Sequence, residues 1–285
     1  MNGKWAILAN QAAGSTNHYG RGAANVIVRL LGKILGAALA LVIVDGQAQV
    51  AVQEQPAGPS NFHFKAVALD YFVIFDPNSV VPAVEKAFPG KGDQFTRAWR
   101  GKQFEYSFLR SIANDHEDFF NVTGEALDYT AQQMHLELTP ETRERLLKAY
   151  LNLKPWPDAA EGLKKLKAAG IRIIALSNFS ATMLRANADH AGIAKLFDKL
   201  LSTEVNGTFK PDPEAYELAL DELHLRKEEI VFAAFGGWDA YGAKHFGYPT
   251  VWVNRLNLPA EKLGAEADQT VTNMDGLVEF VLAHQ

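Results

Sequence analysis

The chain has 285 residues, room for one large domain or two, and its 48% hydrophobic and 21% charged content is that of a soluble globular protein with a sizeable core. Its net charge of −5 argues against nucleic acid as the main partner. The absence of cysteine excludes disulfides, thiolate nucleophiles and Cys-ligated metals.

Residues 1–25 are rich in Gly, Ala and Asn and carry no clear period. Arg29 and Lys33 then precede an apolar run at 34–44, and Gly46-Gln47-Ala48 follows it. A basic start, a short apolar core and a small-x-small site over residues 26–48 form the pattern of a secretory signal peptide. The run is too short to span a bilayer comfortably. This predicts an exported, periplasmic protein with no membrane attachment after leader removal, a mature chain from about Gln49, and a polar linker at 49–61. A start codon assigned too early accounts for the upstream extension. The alternative is a tail and an extra core helix on a cytoplasmic protein.

From Phe62 onward the pattern is one strand, a block of helices, then strands alternating with helices. The run 65–69 is strand-like and ends at Asp70, with an aromatic-rich turn at 71–75. Helical spacing covers 79–88, then 95–113 through Phe95, Trp99, Phe104, Phe108 and Ile112, and then 120–136. Thr139 as N-cap with Pro140 behind it opens a helix to about Leu151, and Pro155-Trp156-Pro157 breaks the chain sharply. Asp158 is expected to cap a helix ending at Gly170, before a β-branched strand at 171–176 that closes on Ser177-Asn178. A helix at 181–191 and a short strand at 200–202 follow. Lys210-Pro211-Asp212-Pro213 opens the helix carrying Tyr216. Further strands lie at 230–234 and 250–253, with Gly236-Gly237-Trp238-Asp239 and a helix to Gly247 between them. Such alternation predicts an α/β fold, a doubly wound parallel sheet with an all-helical cap insertion. Residues 1–61 would be leader and linker, 62–76 with 158–285 the core, and 77–157 the cap.

Polar groups follow several strand-like segments: Asp70, Ser177 with Asn178, Lys210 and Asp239. In a parallel sheet these ends lie on one side, where open α/β sheets bind ligands. A carboxylate at such a lip can act as a nucleophile. Each residue alone reads equally well otherwise: Asp70, Asp239 or Ser177-Asn178 as helix caps, Lys210 as a solvated loop lysine. Their joint order is the specific signal.

At this point the chain resembles the haloacid dehalogenase (HAD) superfamily, and within it the type II (S)-2-haloacid dehalogenases. The motifs are LDYFVIFD (69–76), ALSNFS (175–180), FKPDPEAYE (209–217) and FGGWDAYGAKHFGYPTVWVNR (235–255). The insertion adds AFPGKG (87–92) and AWRGKQFEYSFLRS (98–111), which look like that family's cap. The resemblance implies that Asp70 displaces halide from a 2-haloacid and that water then hydrolyses the aspartyl ester to the inverted 2-hydroxyacid. Lys210 would hold Asp70 ionised. Asp239 would position Lys210 or the water, Arg100 would receive the halide with help from Asn178, and Ser177 would bind the substrate carboxylate. Tyr216 matches a family tyrosine near the lysine and is grouped with the substrate-binding residues, while Phe72, Phe104 and Trp238 would be apolar walls. It further implies a homodimer, no cofactor and no metal.

Superfamily phosphatases read Asp-x-Asp at the first motif. Phe72 fills the second position here, which disfavours phosphoryl transfer and leaves few oxygen ligands for Mg²⁺. The turn after Asp70 is one residue shorter than the family pattern, with no Gly and with Ile74 in place of Thr. Ala234 and Gly236 stand where the family has Ser and Asn, donors that serve ester hydrolysis. Two other readings follow: a hydrolase of the same fold with an altered substrate, a phosphatase among them, or a binding relative impaired in turnover.

Overall fold

The computed structural model describes residues 63–285, together with the backbone of two strands, β1 (Ala40–Val44) and β2 (Gln47–Ala51). These two pair antiparallel, Ala40 opposite Ala51 and Val44 opposite Gln47. The remainder of the leader expected at 26–48, and of the linker after it, lies outside the described residues.

The unit Asn61–Gln285 is built on a six-stranded sheet: β3 (Ala66–Leu69), β4 (Arg172–Ser177), β5 (Lys199–Ser202), β6 (Ile230–Ala234), β7 (Thr250–Val253) and β8 (Gln269–Val271). The order is β5-β4-β3-β6-β7-β8 and every neighbouring pair is parallel. Successive side chains of a strand point to opposite faces. Val67, Leu69, Val231 and Ala233 accordingly enter one apolar core, and Ala66, Ala68, Ile230 and Phe232 the other. Burial on both faces explains why these runs are continuously apolar. The chain begins at the centre, winds out to β5, returns to β6 and winds out to β8. The reversal falls between β3 and β6, where Leu69 lies opposite Ala233, and a ligand crevice opens outside the strand ends at such a point.

The aromatic turn after Asp70 is a single helical turn, α1 (Tyr71–Ile74). Then come α2 (Val81–Ala87), α3 (Gly92–Ala113), α4 (Phe119–Gln133) and α5 (Pro140–Ala149), all between β3 and β4 in sequence. Thr139 caps α5 as expected, accepting from Thr142 N at 3.3 Å. Trp99, fully buried, donates its indole N–H to Thr123 O (2.8 Å) and packs edge-on against Tyr150. Gln103 donates to Thr123 Oγ1 (3.1 Å) and accepts from Tyr150 OH (3.2 Å). These contacts lock α3 to α4 and fix the turn of α3 that carries Arg100. The two connections to the helical segment run side by side: Asp76 N donates to Lys154 O and Trp156 N to Ile74 O, at 2.9 and 2.8 Å.

The helix α6 (Ala159–Ala168) precedes β4 and α7 (Ala181–His190) follows it. The helices α8 (Pro213–Leu223) and α9 (Gly237–Phe246) follow where expected. Asp158 does not cap α6 with its side chain; the carboxylate is taken by Arg255 at 2.9 and 3.1 Å and by Met274 N at 2.9 Å. The structure also adds β8 and a final helix, α10 (Met274–Leu282), beyond the last expected strand. Three residues with largely exposed side chains at a sheet edge give β8 no burial pattern to read, whereas α10 buries Met274, Leu277, Val278 and Val281 at helical spacing.

Trp99→Ala is expected to cost about 3–5 kcal/mol, from the cavity it leaves and the orphaned Thr123 carbonyl. Urea unfolding followed by circular dichroism checks it; a cost below about 1 kcal/mol would mean that α3 and α4 are held elsewhere.

Candidate active site

The ladder between β3 and β6 runs one step past the strand, with Asp70 N donating to Ala233 O at 2.9 Å. The chain then turns helical, and Asp70 becomes the N-cap of α1, its Oδ2 accepting from Phe72 N at 3.1 Å. The cap uses only one of its oxygens, and Oδ1 accepts from Lys210 Nζ at 2.9 Å. Lys210 is buried and bridges to Asp239 Oδ2 at 2.7 Å, while its ammonium lies 5.1 Å from the Phe232 ring centre. Asp239 sits in the first turn of α9, and its other oxygen accepts from Tyr216 OH at 2.7 Å.

Burial alone would drive Lys210 toward its neutral form, but the charges of Asp239 and Asp70 more than offset this and hold it above its ordinary value of 10.5. Burial pushes Asp239 the other way, upward, with Lys210 pulling it back. One cation thus stands between two carboxylates. Asp239 is the closer of the two partners, at 2.7 Å against 2.9 Å for Asp70.

Asp70, Lys210, Ser177 and Asn178 line a cavity of about 200 Å³ with Arg100 and the aromatic rings of Phe72, Phe104 and Trp238. Phe72 meets Phe179 edge-on at 5.3 Å, and Phe104 meets Trp238 at the same distance. Arg100 is half-buried, which lowers its pKa, and its Nη1 lies 3.4 Å from Asn78 Oδ1. Ser177 Oγ accepts from Phe179 N at 3.1 Å, leaving the hydroxyl proton free to donate. Neither Ser177 nor Asn178 caps α7; Ser180 does.

Asn178, expected to help Arg100 as a donor, lines the cavity with it and also clasps the Lys210 backbone, Oδ1 accepting from Lys210 N (2.8 Å) and Nδ2 donating to Lys210 O (3.3 Å). Tyr216, grouped with the substrate-binding residues, is fully buried behind Asp239 and does not line the cavity. Asp239 is likewise shut off from the cavity and holds Lys210.

Sequence reasoning missed Phe119, Phe179, Phe235, Asn254, Leu256, Leu258 and Glu261, which also line the cavity. Phe179, Phe235 and Asn254 stand inside quoted motifs. The segment from Leu256 to Glu261 has no motif; Asn254 brings it in by bonding Leu258 through both its amide atoms, at 2.8 and 2.9 Å. Among the described residues no group of three His, Asp or Glu side chains is placed to hold a metal. The donors at the site do not suit Mg²⁺ either: Asp70 already pairs with an ammonium and its neighbour two residues on is Phe72.

Because the folded pKa of Lys210 is raised, its contribution to stability is complete below pH 10.5 and is lost as the pH rises through the higher folded value. Alkaline destabilisation is therefore expected to set in at lower pH in Asp239→Asn than in the native chain. Thermal melting between about pH 8 and 12 measures this, and coincident curves would show that Asp239 does not hold the lysine's proton.

The comparisons with known proteins agree with this geometry. A model of haloacid dehalogenase-like hydrolases matches residues 64–247. The (S)-2-haloacid dehalogenase of Pseudomonas sp. (strain YL) is 39% identical over 219 residues, covering 76% of this chain and 94% of that protein. Haloacetate dehalogenase H-2 of Moraxella sp. (strain B) is 37% identical over 76% of this chain and 97% of its own length. The structure of L-2-haloacid dehalogenase from Xanthobacter autotrophicus with chloropropionic acid covalently bound superposes with a TM-score of 0.73 at 34% identity, over 77% of this chain and 98% of that one. With a sheet, a motif order and a buried Asp–Lys–Asp row of this kind, and relatives matched over nearly their whole length, the chain belongs to the haloacid dehalogenase-like hydrolases.

Proposed function

We propose that this chain hydrolyses the carbon–halogen bond of short (S)-2-haloacids, giving 2-hydroxyacids through an ester on Asp70. The observation that carries the reading is the Lys210 ammonium held between Asp70 and Asp239 at the floor of an aromatic cavity that Arg100 enters. A carboxylate oxygen of Asp70 attacks C2, and the halide leaves with the bonding pair. Water then adds to the Asp70 carboxyl carbon and the substrate oxygen departs, taking a proton, as the 2-hydroxyacid. Whichever oxygen forms the ester, the other keeps a donor, Lys210 Nζ or Phe72 N–H, aimed at charge that grows as water adds. Arg100 supplies positive charge for the departing halide, and the free Ser177 proton meets the substrate carboxylate. Aromatic rings keep the nucleophile poorly hydrated.

A binding relative stalled at the ester is the second reading, and Asp239 favours it. Both of its oxygens are bonded and it has no face on the cavity, so no base other than Asp70 itself and the exposed Glu261 stands there.

Halide release from each enantiomer of 2-chloropropionate, in the presence of chelator, separates the readings. Sustained release from the (S) form, abolished in Asp70→Asn and reduced about 10²-fold in Arg100→Ala, is the expected result. One equivalent followed by arrest, with an ester retained on Asp70, selects the stalled reading.

A further inference from the structure

The turn that carries Asp70 is one helical turn long. A lone turn is unfavourable by itself, because nucleation fixes several residues for very few hydrogen bonds. It also carries none of the glycine or threonine that the family pattern places there. Its backbone carbonyls nevertheless all have partners. Asp70 O and Tyr71 O accept from Val73 N and Phe75 N, both at 3.0 Å, within the turn. The remaining three are satisfied from outside: Phe72 O by Trp156 Nε1 at 2.9 Å, Val73 O by Arg255 Nε at 3.0 Å, and Ile74 O by Trp156 N at 2.8 Å.

Those donors form one network. The Arg255 guanidinium lies 4.9 Å from the Trp156 ring centre and pairs through both terminal nitrogens with Asp158. Its side chain is only 6% exposed. Trp156 belongs to the Pro155-Trp156-Pro157 break and Arg255 ends the fourth motif, and neither lines the cavity. The donor that this turn presents to the nucleophile is Phe72 N–H, on Asp70 Oδ2.

We propose that Trp156 and Arg255 are positioning residues for the nucleophile, clamping successive carbonyls of the turn so that Phe72 N–H and the Asp70 carboxylate stay aligned for attack. The proposal rests on the dehalogenase reading for its kinetic consequence and on the hydrogen bonds alone for its structural one. Every carbonyl at the C-terminal end of a helix needs a partner, and here one indole and one guanidinium replace what a longer helix would supply. Because Trp156 lies on the return connection, the clamp also ties the path of that connection to the nucleophile.

Trp156→Phe removes the indole N–H and keeps a ring beside Arg255; Arg255→Lys keeps the charge and removes the planar fork. Two readouts on the full chain test the proposal. The first is single-turnover formation of the Asp70 ester from (S)-2-chloropropionate, read by mass spectrometry. It is expected to slow roughly 10–100-fold, of the order that a misplacement of up to 1 Å costs, with KM little changed. The second is amide hydrogen exchange at Phe72 and Val73, which needs no turnover and is expected to speed up at least about ten-fold. If Trp156→Phe fails to fold, Arg255→Lys carries both readouts. Wild-type ester formation or unchanged exchange in a folded variant overturns the clamp, as does a loss confined to KM. An inactive wild type sinks the dehalogenase reading instead, and the exchange result then decides the clamp alone.

Discussion

A single buried ammonium organises this molecule. Lys210 Nζ lies 2.9 Å from Asp70 and 2.7 Å from Asp239 with almost no solvent contact. Removing an ion from water costs several kcal/mol even after relaxation, and the cost is offset only where partners are close and hydrogen-bonded. The surrounding structure meets that condition on every side. Asn178 grips the lysine backbone, Tyr216 holds the far oxygen of Asp239, and Phe232 faces the ammonium. Two carboxylates flank one cation, and of the trio Asp70 and Lys210 reach the cavity wall while Asp239 does not.

The three members come from three strand-to-helix crossings, so the row depends on the strand order more than on any local sequence. The reversal between β3 and β6 brings the strand ends at Leu69 and Ala233 side by side. Arg100 arrives differently. It is set by the packing of α3 on α4 through Trp99, Gln103 and Tyr150, and by paired connections at Asp76 and Lys154. Asp70 and Arg100 thus come from different segments, the crossing after β3 and the helix α3, whose neighbours Val73 and Trp99 share one apolar core.

Much of this was legible in the sequence. Strands buried on both faces leave unbroken apolar runs, which is why β3, β4, β6 and β7 were readable, and the fixed order of Asp70, Ser177, Lys210 and Asp239 marked the site. Three things were hidden. The partner of Asp158 lies 97 residues away, and N-cap position says nothing about a competing guanidinium. The face that Asn178 and Tyr216 present depends on side-chain geometry, so a motif places them near Lys210 without saying that Asn178 grips its backbone and that Tyr216 holds Asp239 from behind. The segment from Leu256 to Glu261 reaches the cavity through Asn254, a contact with no sequence period.

The departures from the family pattern fall unevenly over the two chemical steps. An ideal Cβ on Gly236 would lie 2.7 Å from Trp238 Nε1, so a side chain there requires the indole to move. A polar donor at 236 and Trp238 in its present place therefore exclude each other, and this chain has the aromatic wall. In the proposed displacement of halide the groups called on are Asp70, Phe72 N–H, Lys210 and Arg100; Phe72 N–H and Lys210 both donate to Asp70, and Arg100 lines the same cavity. Ester hydrolysis needs a water held near the Asp70 carboxyl carbon, and of the two changed positions Gly236 lines the cavity, without a side-chain donor, while Ala234 is buried in the core on the other face of the sheet. The apolar enclosure favours attack by a poorly hydrated carboxylate and at the same time leaves few groups to orient water, so the burden of the change at 236 rests on the second step.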